Sequence, residues 1–326
     1  NKFHGVSKFD TKNGIANNLA EPRTYTKVFS DWILDEASKD HKLCAITPAM
    51  SDGSGLNEFS KKYPKRFYDV GIAEQHALTF AAGLSLSGHK PVVAIYSTFL
   101  QRAYDQLIHD IAIQNIPMLF AIDRAGIVGA DGATHSGNFD ISFIRCIPNL
   151  ILMAPSNAAD CYQMLSFGYN YNGICAVRYP RGISHNQDLN KTTEPIKFGR
   201  AKKIRNGNSI AILAFGTIVN TCIEVAEDIN ATLVDMRFVK PIDKKMIKEI
   251  CLDHNFIVTV EENVVSGGGG SAVLEALSEM QLSCKTLAIG IPDKFFEHGS
   301  QKEVLKECGL DKNTIKNKIV KQHKGC

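Results

Sequence analysis

The chain has 326 residues, 44% hydrophobic and 22% charged, with 37 Lys+Arg against 34 Asp+Glu for a formal net charge of +3. That length accommodates about two domains, and the apolar fraction excludes a disordered or collagen-like chain. No apolar run reaches the ~18–20 residues of a membrane helix, and the basic residues are scattered, so neither a bilayer nor nucleic acid is an expected partner.

The chain opens at Asn1-Lys2-Phe3-His4, without Met or a targeting pattern, and is therefore expected to be a piece of something longer. Residues 1–22 are polar and read as a linker arm. Apolar positions at Val28, Phe29, Trp32, Ile33 and Ala37 predict an amphipathic helix over 25–39. Short apolar strands then alternate with helices. Strands are expected at 44–47, 67–70, 92–96, 118–123, 150–154 and 176–179, and helices at 73–87, 103–114 and 158–169. Such alternation predicts a doubly wound α/β domain over 23–184, with a mainly parallel sheet covered on both faces. A polar stretch at 185–195 reads as a linker. A second, smaller α/β domain is expected over 196–326. Its predicted strands lie at 209–213, 232–235, 256–261 and 286–290, and its helices at 218–229, 244–254, 271–280 and 312–322.

Nine cysteines are irregularly spaced without a Cys-x-x-Cys, and most sit in apolar stretches. They read as buried hydrophobes in a reducing cytoplasm rather than as disulfides or a metal site.

In an open α/β sheet, ligands bind beyond the carboxyl ends of the strands. Four of those ends in the first domain carry chemistry: Gly71-Ile-Ala-Glu-Gln-His76, Tyr96-Ser-Thr-Phe-Leu-Gln-Arg102, Asp123-Arg124 running to His135-Ser-Gly137, and Arg178-Tyr-Pro-Arg-Gly182. Singly, each residue has an ordinary reading. Glu74 could meet a helix dipole, Arg124 or Arg181 could form surface ion pairs, His135 could close a turn, and Phe99 could be core. Together they supply a carboxylate, an aromatic face, guanidinium groups and an imidazole, which suits an anionic substrate and a cofactor. Ala130-Asp131-Gly132 with Asn157 imitates a metal–diphosphate signature, but Ala130 replaces the first Gly and Asp131 lies deep in its loop, so no metal ligands are assigned. Gly267 to Gly270, opening a helix, reads as close packing rather than a phosphate cradle.

Several runs carry a family resemblance: Asp69-Val-Gly-Ile-Ala-Glu-Gln-His-Ala77, Val93 to Gln106, Ala121 to Gly132, Arg145-Cys-Ile-Pro148, Val177-Arg-Tyr-Pro-Arg-Gly182, Val234 to Pro241 and Val260-Glu-Glu-Asn263. Together they resemble the 1-deoxy-D-xylulose-5-phosphate synthase family, matching its pyrimidine-binding domain and its transketolase-type C-terminal domain. The resemblance implies condensation of pyruvate with D-glyceraldehyde 3-phosphate, with loss of CO2, on thiamine diphosphate and Mg2+. The product serves isoprenoid, thiamine and pyridoxal biosynthesis.

It further implies that Glu74 binds N1′ of the aminopyrimidine in an apolar pocket that raises its pKa, with Ile72 as a cofactor contact and Ala73 and Phe80 as further wall. Phe99 would stack on the pyrimidine. Tyr96, Arg124 and Arg181 would hold the aldehyde phosphate, while Arg102, Asp131 and His135 would meet polar substrate atoms and His135 would handle protons. The Mg2+ ligands are expected in an N-terminal diphosphate-binding domain, supplied as a separate chain or lost segment. Without it, this chain is expected to be inactive. A homodimer is expected, with the C-terminal domain supporting assembly. Two alternatives stay open: a β subunit of a 2-oxoacid dehydrogenase, and a non-catalytic dimerisation scaffold. The second would be favoured by a Glu74 that is solvent-exposed, salt-bridged and without a cleft.

Overall fold

The computed structural model describes residues 22–185 and 195–324. The expected arm, apart from Pro22, and most of the expected linker lie outside the described residues. The first sheet is built from β1 (Leu43–Thr47), β2 (Phe67–Asp69), β3 (Lys90–Tyr96), β4 (Met118–Asp123), β5 (Leu150–Met153) and β6 (Ile174–Arg178). The second part of the chain supplies β7 (Lys202–Arg205), β8 (Asn208–Phe215), β9 (Ala231–Asp235), β10 (Phe238–Lys240), β11 (Phe256–Val264) and β12 (Lys285–Ile291). The chain is thus a mixed α/β protein with mostly parallel sheets.

The first sheet has the order β10-β5-β6-β4-β3-β1-β2 and the second the order β12-β11-β8-β9-β7. Strands β1 to β6 pair in parallel, and β10 crosses from the later part of the chain to close the β5 edge antiparallel. The central strands are buried along their whole length because helices cover both faces. Helices Tyr25–Lys39 and Ala158–Asn170 lie on one face, around Phe29, Trp32 and Met164. The first is capped by the Thr24 hydroxyl accepting from Lys27 N, the second by the Asn157 side chain accepting from Asp160 N. Asn157 therefore has a helix-capping task. The other face carries Glu74–Leu86 and the segment after β3, and its apolar cluster continues into the second domain through Leu213, Phe215, Val234 and Ile257. Beyond the second sheet lie Ile218–Asp228 and Lys312–Lys324, packed through Cys222, Val225, Ile315 and Ile319.

The structure departs from the sequence expectation in three ways. The helix expected at 103–114 is broken into Tyr104–Gln106 and a π-helical run Leu107–Ala112, and it follows a short helix Ser97–Leu100 and 3-10 geometry at Gln101–Ala103. Ala103 leaves helical geometry at φ −115°, ψ 21°, and the Tyr104 hydroxyl donates to Phe143 O at 2.7 Å, tying this stretch to a neighbouring element. Second, β11 runs through Glu261, Glu262 and Asn263, all buried at the seam between the domains. The backbone N–H groups of Gly269 and Gly270 donate to the Glu261 carboxylate at 2.7 and 2.9 Å, and the Asn263 side-chain oxygen accepts from Ile141 N at 3.2 Å. The glycine run thus receives a carboxylate of this chain, and a Cβ on Gly269 would meet the Phe215 ring at 2.8 Å. Third, strands β7 and β10, and helices Asn57–Lys62, Asp140–Ile144 and Gln301–Glu307, were not foreseen from periodicity.

Eight cysteines are free thiols, and Cys326 lies outside the described residues. Among the described residues no helix is long and apolar enough to cross a membrane.

Candidate active site

Parallel pairing brings the expected loops to one edge. The registers Tyr96↔Asp123 and Ile122↔Arg178 align the carboxyl ends of β3, β4 and β6, while Thr47↔Asp69 aligns β1 with β2. Asp123 is fully buried at the end of β4. Its carboxylate accepts from Arg124 N at 2.7 Å and from the Thr26 hydroxyl at 2.8 Å, and burial pushes its pKa up against the pull of Arg124.

Arg124 takes positive φ (58°) just past the end of β4. Its Nη1 donates to Gly53 O at 2.6 Å and lies 3.0 Å from Asp123 Oδ2, while the guanidinium centre sits 4.0 Å from the Tyr96 ring centroid. Its Nε is buried without a hydrogen-bond partner. Tyr96 is almost fully buried, and desolvation drives its phenol pKa far above the ordinary value. Phe99 stacks on Tyr96 with centroids 5.3 Å apart and meets His135 edge-on at 5.4 Å. Arg124, Tyr96, Phe99 and His135 therefore form one contact series. Asp131, four residues before His135, pairs with Arg181 at 2.5 Å.

Glu74 is the first residue of its helix and only 3% exposed. Arg102 Nη1 forms an ion pair with its Oε2 at 3.1 Å, yet Oε2 has no hydrogen-bond partner. The Arg102 side chain is 53% exposed, so the carboxylate lies at the boundary between core and solvent. Ile72 is 76% exposed and open to a ligand or partner surface rather than packed around Glu74 within this chain.

A family profile described as "Transketolase, pyrimidine binding domain" matches residues 21–185, and "Transketolase, C-terminal domain" matches residues 199–315. The chain belongs to the transketolase family. Among curated relatives, the 1-deoxy-D-xylulose-5-phosphate synthase of Methylobacillus flagellatus is 55% identical over 95% of this chain and 50% of its own length. The synthases of Pasteurella multocida and Haemophilus influenzae are each 56% identical, over 97% and 98% of this chain. The chain spans about half the length of the curated relatives it matches. Among solved structures, a chain described as "Split gene transketolase, inactive beta4 tetramer" superposes with a TM-score of 0.81 at 26% identity, covering 92% of this chain and 98% of that one. The Campylobacter jejuni transketolase shares the fold, with a TM-score of 0.75 at 17% identity, over 94% of this chain and 48% of that one.

Within this transketolase-type chain, the loop carrying Asp131 and His135 rests on the second domain. A Cβ on Gly126 would meet Glu262 Oε2 at 2.8 Å, and one on Gly129 would meet Gln301 N at 2.6 Å. The Gly132 position faces the ring of His298. The C-terminal domain therefore shapes the candidate site as well as any assembly. Glu262, His298 and Gln301 are absent from the residues expected at the site. Their local trace is the three-residue spacing of Gly126, Gly129 and Gly132, all at positive φ, where the backbone must pass close to something.

Proposed function

We propose that this chain forms the pyrimidine-binding and C-terminal part of a thiamine-diphosphate-dependent transferase. The reaction joins pyruvate to D-glyceraldehyde 3-phosphate, giving 1-deoxy-D-xylulose 5-phosphate and CO2, in the cytoplasm. The observation that carries the reading is Glu74: a buried carboxylate at a strand-to-helix turn whose Oε2 lacks a hydrogen-bond partner. Such an atom fits a protonated ring nitrogen of the cofactor's pyrimidine. Phe99, three residues from Arg102 in sequence, supplies an aromatic face for that ring, and the exposed Ile72 supplies an apolar contact.

Thiamine diphosphate, when bound, supplies a carbanion-forming carbon and an electron sink. Glu74 holds a proton between its Oε2 and the pyrimidine nitrogen. Arg102 holds countercharge 3.1 Å from the same oxygen. Arg124, through its unpartnered Nε, and Arg181 orient the acceptor's phosphate beside Tyr96, since guanidinium groups match phosphate oxygens bidentately. Asp131 fixes Arg181, and His135, packed edge-on against Phe99, moves a proton at the reacting oxygen. Among the described residues no group of three or more His, Cys, Asp or Glu is placed to hold a metal ion. The proposed Mg2+ and diphosphate ligands belong to an N-terminal domain acting with this chain, in a homodimeric assembly.

The synthase reading, rather than a 2-oxoacid dehydrogenase β subunit, is supported by the names and the 55–56% identity of the relatives above. A scaffold role draws support from the Glu74–Arg102 ion pair, but burial of Glu74 speaks against it. The test mixes the chain with the diphosphate-binding domain of a homologous synthase, thiamine diphosphate and Mg2+, and follows pyruvate consumption dependent on the aldehyde phosphate. Turnover is expected only from the mixture, and Glu74→Gln should lower kcat by about a hundredfold or more. A Glu74→Gln mixture with full activity removes Glu74 from the mechanism.

A further inference from the structure

At Gln301 the contact of the site loop with the second domain is more than packing. Gln301 is the first residue of helix Gln301–Glu307, whose start is locked by a capping box: the Ser300 hydroxyl accepts from Glu303 N, and the Glu303 carboxylate accepts from Ser300 N at 3.0 Å. From that fixed base the Gln301 side-chain amide Nε2 donates to Ile127 O at 2.9 Å and, at a longer 3.4 Å, to Arg181 O. The two acceptors belong to different loops. Ile127 lies in the loop after β4, between Arg124 and Asp131, whereas Arg181 follows β6 and carries the guanidinium that pairs with Asp131. The Gln301 backbone also forms the floor beneath Gly129, where a Cβ would sit 2.8 Å from the Gln301 Cα.

We propose that Gln301 is a positioning residue that holds the Arg124–His135 loop and the Arg181 loop in register, and so sets how well their guanidinium groups close on the phosphate of the acceptor. The inference rests on the synthase reading for its substrate, but the tie between the loops is a property of this chain alone. One side-chain amide with two backbone acceptors is the kind of contact whose loss relaxes loops without unfolding the strands beneath them, because β4 and β6 keep their own ladder. Phosphate affinity depends on two arginines on separate loops, so relaxing their spacing should weaken acceptor binding more than it slows chemistry.

Two variants of similar length test this. Gln301→Met removes the donor, and Gln301→Glu replaces it with an acceptor facing two carbonyls. The first readout is amide hydrogen exchange in the purified chain. Peptides covering 125–137 and 179–185 should both exchange faster in both variants, while peptides from β3 and β4 keep wild-type rates. Unchanged exchange in either loop overturns the tie. The second readout is steady-state kinetics in the mixture with the diphosphate-binding domain. KM for the aldehyde phosphate should rise about three- to tenfold, the range expected from loss of one hydrogen bond, with kcat and KM for pyruvate within about twofold. Faster exchange with an unchanged KM for the aldehyde phosphate overturns the link to the acceptor. If the wild-type mixture makes no product, the synthase reading has failed, and the exchange result still upholds or overturns the coupling of the two loops.

Discussion

One guanidinium spans the joint between the domains at a buried point, and removing it should be among the costliest single changes in the molecule. Arg178, at the end of β6, is 4% exposed. Its Nε and Nη2 donate to the two oxygens of Asp140 at 2.8 and 3.1 Å, and Nη2 also donates to Glu262 O on β11 at 3.0 Å. Asp140 has no exposure at all, and Glu262 is buried with its pKa raised by desolvation, which Arg178 opposes. Replacing Arg178 by Met keeps much of the stem's volume but leaves the Asp140 carboxylate in the core without its cation. Breaking a buried pair from one side costs about 3–5 kcal/mol, because the remaining charge keeps its desolvation penalty. Against a total stability of roughly 5–15 kcal/mol, that shifts the folding equilibrium by about a hundredfold to several thousandfold. Urea unfolding reads the change. The single tryptophan, Trp32, is fully buried in the first domain and reports it by fluorescence, while circular dichroism reports the whole chain. The double variant Arg178→Met/Asp140→Leu removes the stranded charge and should recover most of the loss. A single variant costing less than about 1 kcal/mol, or a double variant whose cost is the sum of its parts, would refute the argument, since the penalty would then not come from an uncompensated charge.

Two further outcomes follow from the same geometry. Glu261 is buried, and desolvation raises its pKa from 4.5 to about 7 despite the amides of Gly269 and Gly270. The folded state therefore holds this proton more tightly than the unfolded chain, and the stability Glu261 contributes falls as pH rises from about 4.5 through about 7. Subtracting the pH profile of Glu261→Gln from that of the wild type should show that decline; a flat difference over this window would remove Glu261 as its source. Gly71 and Gly129 both have positive φ, but a Cβ on Gly71 meets nothing within 4 Å whereas one on Gly129 meets Gln301 backbone. Gly71→Ala should cost about 1–2 kcal/mol from backbone strain alone and Gly129→Ala measurably more; equal thermal shifts would show that the loop moves freely off the second domain.

Much of this molecule is legible along the sequence because a parallel sheet turns chain order into spatial order. Once 92–96, 118–123 and 176–179 are read as strands, Tyr96, Asp123 and the Arg178–Arg181 loop must emerge at one edge, and the observed registers bring them there. Glu74 was legible for the same reason, as a carboxylate at a strand-to-helix turn. What stayed hidden depends on partners far away in sequence. Glu261-Glu262-Asn263 has the composition of an exposed loop, and a strand ending at residue 261 is the natural reading. Yet Glu261 is held by the amides of Gly269 and Gly270, Thr217 donates to Glu262 at 3.2 Å, and Asn263 accepts from Ile141, 122 residues earlier in the chain. Polar residues are buried where each finds a partner, and no local rule lists partners at that separation. The β10 strand is hidden likewise, because its place depends on the open edge of β5 rather than on its own three residues. The triad of positive-φ glycines at 126, 129 and 132 is the exception: a long-range contact leaves a local mark when the side chain must be absent. Repeated glycine in a site loop therefore points outward, to whatever surface the backbone touches, and here that surface is the second domain.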